Sequence, residues 1–290
     1  MRIASLVEVV RGRLLNSPSI GAIEGFSFSP ETTRRGDCYF HDDGDETALY
    51  AALTNGAFAA VFNRPTRLAD RETALIAVDD MNRALAGLAR YLLIEQNTVV
   101  FSASPIEAEI AGAIVSDRRL LVDPDFKETI RVLSRRSAPL LLCSKSSSLF
   151  ETAINSEPLR AEPIEVVKET LLETTIVYRG GRLTLALPSL FLSELSAAIA
   201  FAKRFGLRTR FNVPIALSRF NIYAIANGER LLIFDRAADE EEREALAFIR
   251  RVAPWAKIYA PKEVFDPKAR FTCAYLNGFK PADVFAALPR

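Results

Sequence analysis

Residues 97–114 read NTVVFSASPIEAEIAGAI, and the fold is decided by how this stretch is read. The apolar run over 98–101 predicts a buried strand, 102–104 a tight turn, and a helix opens at Pro105. Ser104 stands at the N-cap, Pro105 at the first helical position and Glu107 three residues after the cap, the pattern of a capping box. Ile106, Ile110 and Ile114 recur every four residues and give the helix one buried face. In many α/β proteins such a turn holds a phosphate on the helix N-terminus. Here Ser102, Ala103, Ser104 and Pro105 include no glycine, so side chains obstruct the backbone where a phosphate would approach. No Gly-Lys-Ser/Thr is present to hold β- and γ-phosphates and magnesium. Glu107 and Glu109 put negative charge into the same turn of helix. Unit charges about 4 Å apart repel by roughly 1 to 4 kcal/mol between bulk water and a protein surface. The position of a phosphate turn is kept without its fittings, and no nucleotide or other cofactor is expected.

Working outward, the chain of 290 residues suggests two domains, or three small ones. Hydrophobic content of 49% with 25% charged residues suits a soluble protein with a real core. Net charge is +1, and the arginine pairs Arg34-Arg35, Arg118-Arg119, Arg135-Arg136 and Arg250-Arg251 are scattered, so nucleic acid is not an expected partner. Cys38, Cys143 and Cys273 lie far apart and are odd in number, which fits a reducing cytoplasm. One histidine, His41, and no C-x-x-C make a metal site unexpected. The N-terminus is too charged for a signal peptide, and the apolar run LFLSELSAAIAFA carries Glu194 and is too short to span a bilayer.

Before residue 97 the patterns alternate. A helix is expected over 3–11, extended structure over 20–28, a turn at Gly36-Asp37 into a strand CYF, and a helix over 47–55 ended by Gly56. Strands follow over 57–62 and 73–78, then a helix capped by Asp79 or Asp80 and running to about 93. The runs RRGDCYF, TALYAALTNGAFAAVFNRP and ALIAVDDMNRALAGLARYLL resemble the N-terminal domain of the Mur ligases, most of all the type that adds D-Ala-D-Ala to the peptidoglycan precursor. Gly36, Asp37, Phe40, Gly56, Ala57, Val78, Ala84 and Leu85 match that pattern in order and spacing, with a short loop after Phe40. The family's Asp-Ser-Arg signature, which helps hold the UDP-sugar precursor, falls on Ser29-Pro30-Glu31, and Glu31 would repel a diphosphate. The resemblance also implies an ATP loop at 99–109, the stretch whose residues argue against it.

After residue 114 the chain is a shortened version of what the resemblance implies. A helix is expected around Phe126, Ile130 and Leu133, a strand over 139–143, and a helix from about Leu149. The family's magnesium and carbamylated-lysine positions have no counterpart. A hairpin is expected around Gly180-Gly181 and a helix over 189–205. Within that helix the family's His-Asn is replaced by Phe191 or its neighbours. Ser218-Arg219-Phe220 resembles a family Gly-Arg-Phe, a hairpin is expected around Asn227-Gly228, and Asp235 ends the strand LLIFD. A helix over 239–251 has an acidic start, and AKIYA and FTCAYL read as strands, each followed by a short helix.

The expected fold class is α/β: a Mur-ligase-like N-terminal domain over 1–96, a reduced, mostly parallel central domain over 97–236, and a truncated C-terminal remnant over 237–290. Lys145 with Ser146, Ser147 and Ser148 lies between a strand and a helix and is a candidate anion site, the alternative being a serine cap beside an exposed lysine. Arg219 is a second anion candidate, the alternative being a pair with a carboxylate. Asp235 with Asp239 invites a magnesium reading and a plain strand-end reading, and His41 beside Asp42 and Asp43 invites a general-base reading and a polar-turn reading. Cys143 reads as inert core. The expectation is a cytoplasmic, catalytically degenerate Mur-ligase-like protein that acts by binding, with an active Mur ligase or another cell-wall or division protein as partner. Two alternatives stand beside it: an enzyme on a cell-wall peptide or nucleotide-sugar through a relocated site, and the fold reused as a structural subunit.

Overall fold

The structure is a computed structural model and describes residues 1–42, 45–64, 72–135, 139–212, 215–259 and 263–288. Its contacts gather into two compact units, residues 1–102 with 118–158 and residues 103–117 with 159–290.

The first unit opens with α1 (Ile3–Val9), β1 (Arg13–Leu14), β2 (Gly25–Ser27), β3 (Asp37–His41), α2 (Glu46–Thr54), β4 (Ala59–Phe62), β5 (Ala74–Ala77) and α3 (Met81–Glu95). Its five strands run in the order β1-β5-β4-β3-β2, parallel except for β1. β4 reads AAVF and is buried throughout, the continuous apolar run of a strand covered on both faces. α2 starts where the Asp45 carboxylate accepts the Thr47 N–H at 2.9 Å and stops before Gly56, whose φ of 99° suits a residue without Cβ. β6 (Val100–Ala103) begins a second sheet. The next helix, α4 (Pro105–Ile114), belongs to the other unit. β7 (Leu120–Val122), α5 (Phe126–Ser134), β8 (Leu140–Ser144), α6 (Ser148–Thr152) and β9 (Ser156–Pro158) complete this sheet in the order β7-β8-β6-β9. α3 is the shared support: Leu85, Leu88, Leu92 and Leu93 lie in one apolar cluster with Ile76 of the first sheet and Val100, Ile130 and Leu141 of the second layer.

The second unit holds a meander of β10 (Val166–Glu169), β11 (Thr174–Tyr178) and β12 (Gly181–Leu185), then α7 (Leu192–Arg204). β13 (Phe220–Ile225), β14 (Arg230–Asp235), α8 (Asp239–Val252), β15 (Lys257–Tyr259), β16 (Cys273–Asn277) and α9 (Pro281–Ala287) follow. The sheet order is β13-β14-β16-β15, with β13 the antiparallel edge. α4 packs along α7, with Ile106, Ile110 and Ile114 buried. Alanines 197, 198, 200 and 202 among α7's buried positions keep its surface low.

Several boundaries differ from expectation. The strand expected over 98–101 is β6, two residues later, because Val100, Phe101 and Ser102 pair with Ser156, Glu157 and Pro158 of β9. The tight turn therefore shrinks from three residues to Ser104 alone. The helix expected from 189 opens as a 3-10 turn, Ser189–Phe191, before α7. No helix follows β15 among the described residues before β16. β1, β7, β9 and β10 have no counterpart in the sequence reading.

Candidate functional site

Ser102 and Ala103 sit inside β6 and are buried. At Ser104 the backbone N–H donates to Glu107 Oε2 at 2.6 Å, and the Glu107 N–H donates to Ser104 Oγ at 3.1 Å. The Ala108 N–H donates to the Ser104 carbonyl at 3.0 Å, and Pro105 has no N–H to give. A helix N-terminus attracts anions through its unpaired N–H groups; here Ser104 and Glu107 take most of them. Glu109 Oε2 also accepts the Ser218 N–H at 2.9 Å, fixing a second carboxylate in this helix. Two carboxylates are thus fixed within the first half of α4.

Arg219 is drawn into a buried network. Its Nε donates to Asp235 Oδ1 at 3.0 Å, its Nη1 lies 3.2 Å from Glu241 Oε1, and its Nη2 donates to the Glu241 carbonyl at 3.1 Å. Asp235, fully buried at the end of β14, also accepts the Tyr275 hydroxyl at 2.8 Å. Burial, and then the Asp235 charge, push the Tyr275 phenol up, so it stays a donor. This is the carboxylate-paired arrangement, and it leaves Arg219 few donors for a ligand. Asp239 begins α8. Glu194, in the first turn of α7, has Oε2 buried without a hydrogen-bond partner. Burial raises its pKa, and the charges of Glu107 and Glu244 raise it further.

The Lys145 loop belongs to the first unit and Arg219 to the second. Its hydroxyls are used locally: Ser146 Oγ meets Ser144 Oγ at 3.2 Å, and Ser147 Oγ accepts the Leu149 N–H at 3.3 Å. The Ser148 carbonyl accepts the Thr152 hydroxyl at 2.9 Å, and Lys145 extends into solvent. His41 is buried at the end of β3 with its ring 5.8 Å from Tyr39, Asp42 pairs with Lys127 at 2.7 Å, and Asp43 lies outside the described residues. Burial pushes the Cys143 thiol up to about 12 and that of Cys273 to about 11, far from a reactive thiolate. Among the described residues no group of His, Cys, Asp and Glu is arranged to hold a metal ion, and no helix is long and apolar enough to cross a membrane.

The first unit contains a cleft of about 660 Å³ that the sequence reading did not find. One wall is β2 and the segment after it, including Phe26 and Phe28; the other is α5. Five cations line it: Arg34, Arg35, Lys127, Arg131 and Arg135. Four carboxylates do so too, and most are engaged. Asp37 accepts the Arg34 N–H at 2.9 Å, Asp125 caps α5 through the Glu128 N–H at 2.6 Å, and Glu128 lies 3.6 Å from Arg131. Lys127 is held by Asp42. The guanidiniums of Arg34, Arg35 and Arg135 have no ion pair or side-chain hydrogen bond to another described residue. The only sequence signal for this cleft was the presence of the doublets Arg34-Arg35 and Arg135-Arg136, of which Arg136 lies outside the described residues.

No protein-family model and no curated protein matches the sequence. Solved structures do match. The MurF ligase of Thermotoga maritima, solved in complex with ADP, aligns with a TM-score of 0.50 at 14% identity over 91% of this chain and 96% of that one. MurF from Acinetobacter baumannii aligns with a TM-score of 0.46 at 13% identity over 89% and 78%. The chain therefore shares the α/β fold of the Mur ligases at an identity where fold is what is shared.

Proposed function

We propose that this chain is a Mur-ligase-fold protein that acts by binding and no longer ligates. Acyl-phosphate ligation requires ATP with magnesium, a carboxylate and an amine. The Thermotoga maritima ligase is known with ADP bound. In this chain the observation that carries the reading is the one-residue turn at Ser104, closed on itself by the Ser104–Glu107 box and followed by Glu109. A triphosphate brought there would meet few unpaired N–H groups and two carboxylates. The fold likeness supports a place in peptidoglycan precursor metabolism, with an active Mur ligase or another cell-wall or division protein as the partner.

Calorimetric titration with Mg-ATP tests the reading. The expected result is no saturable, magnesium-dependent binding. Magnesium-dependent binding together with crystallographic density for a triphosphate against the Ser104 cap would overturn it, and the protein would then be a working synthetase.

A further inference from the structure

We propose that the tip of the β11–β12 hairpin and the segment after α7 form a docking surface for a glutamate- and aspartate-rich segment of a partner protein. The inference rests on the binding reading above and gives it a partner chemistry. It begins with charge that is segregated in a chain whose net charge is only +1. From Thr174 to Gly228 the sequence holds seven Lys and Arg residues and a single acid, Glu194. The fold gathers four of these cations. The hairpin closes in a two-residue turn, Arg179-Gly180, with Tyr178 paired to Gly181, so Arg179 and Arg182 stand at its tip. After α7 the Ser116 N–H donates to the Arg208 carbonyl at 2.9 Å and the Arg210 N–H to the Ile114 carbonyl at 2.7 Å, which lays this segment along the end of α4. The Phe211 ring meets the Tyr178 ring at 5.0 Å, near edge-on, and joins the two pieces. Arg210 is steadied by its Nε, which donates to the Ala113 carbonyl at 3.4 Å. All four arginines are exposed, and none forms an ion pair with another described residue. The surface lies at the C-terminal end of α4, about 15 Å along the helix from Ser104, and is separate from the turn there. The rings favour a protein partner over a nucleic acid or a membrane. Arg179 lies over the Tyr178 ring, 5.2 Å from its centroid, and Phe211 meets that ring at 68°, so it is already engaged rather than open for a base to stack on. Both rings are half-buried and offer little apolar surface to a bilayer. What stands open is a set of guanidinium forks, whose donors match the two oxygens of a carboxylate.

Fluorescence anisotropy of a labelled hexaglutamate peptide with the intact protein tests the proposal, at about 0.15 M salt so that distant charges are screened. The expected result is saturable one-to-one binding that a hexaglutamine peptide does not show. Arg179→Gln with Arg182→Gln, and separately Arg208→Gln with Arg210→Gln, should each weaken it about tenfold or more. Arg179→Lys with Arg182→Lys keeps the charge and should retain part of the binding; a loss equal to that of the glutamine pair contradicts the account. Arg34→Gln with Arg35→Gln removes the same charge from the first unit and should leave the affinity unchanged. No saturable binding of hexaglutamate, or binding insensitive to both glutamine pairs in the second unit, overturns the proposal. So does tighter binding, through the same arginines, of phosphatidylglycerol vesicles or of a thymidine oligonucleotide. Salt-sensitive self-association that these variants abolish would give the surface to a second copy of the chain and also overturns it. None of these failures touches the non-ligating reading, which falls only to magnesium-dependent nucleotide at Ser104.

Discussion

Single residues decide which charged groups are free to meet a ligand. Arg219 and Asp235 looked like site residues because they are a cation and an acid near strand ends. The structure commits them to each other, with Tyr275 and Glu241 completing the set. Breaking a buried pair costs about 3 to 5 kcal/mol, so such a pair serves the fold before it serves a ligand. Glu194 is the opposite case, a carboxylate with too little to hold it. Its pKa lies above the ordinary 4.5 because burial disfavours its charge and Glu107 and Glu244 repel it, with the backbone and Arg219 offsetting part of this. The folded state therefore binds the Glu194 proton more tightly than the unfolded chain does. Stability from this group is full below pH 4.5 and falls as pH rises through the raised value. Glu194→Gln should accordingly be more stable than the parent protein near neutral pH, and the difference should fade as pH drops below 4.5. Urea unfolding at both pH values measures it, and a gain that is the same at both would contradict the account.

At the level of elements, packing overrules local preference at predictable places. Gly87 lies within α3, where alanine would improve helix propensity by about 1 kcal/mol. A Cβ built there comes within 2.6 Å of the Val9 carbonyl oxygen, at the end of α1. That atom is backbone and cannot swing away, and overpacking of this kind costs about 1 to 3 kcal/mol. Gly87→Ala should therefore destabilise the first unit despite the better helix former, seen as a lower urea midpoint with unchanged m-value. The helices and central strands were readable from the sequence because their signals are local: Asp80 and Ser104 caps, isoleucines every four residues, the glycine after α2. β1, β7 and β9 were not, because strands of two or three residues cannot show alternation and exist only through partners far along the chain. β6 was misplaced by two residues for the same reason, its end being set by β9. The candidate site divides in the same way. The absence of glycine and lysine at 102–107 could be read directly. The arginine cleft could not, since Arg34-Arg35 and Arg135 are about one hundred residues apart and nothing in the sequence says that α5 faces β2.

For the whole molecule, packing gives α4 a reason to be kept whatever the turn before it binds. The chain leaves the first unit after residue 102, contributes α4 to the second, returns at 118, and leaves again after 158. α4 is thus a part of the second unit supplied from within the sequence of the first. Ile106, Ile110 and Ile114 are buried, and full burial of such a side chain contributes about 1.5 to 3 kcal/mol. Three of them together amount to roughly 5 to 9 kcal/mol, comparable with the whole stability of a domain at about 5 to 15 kcal/mol. The second unit also uses α4 through its ends: Glu109 accepts the Ser218 N–H, Val115 bridges to Thr209, and the Ile114 carbonyl accepts the Arg210 N–H at 2.7 Å. Packing alone is enough to account for the helix. It follows that residues 159–290 expressed alone should not unfold cooperatively and should bind a hydrophobic dye. Adding a peptide of residues 103–117 should restore a cooperative melt and suppress the dye signal. If the fragment melts cooperatively by itself, α4 is dispensable to that unit, and its retention needs a reason in function rather than in packing.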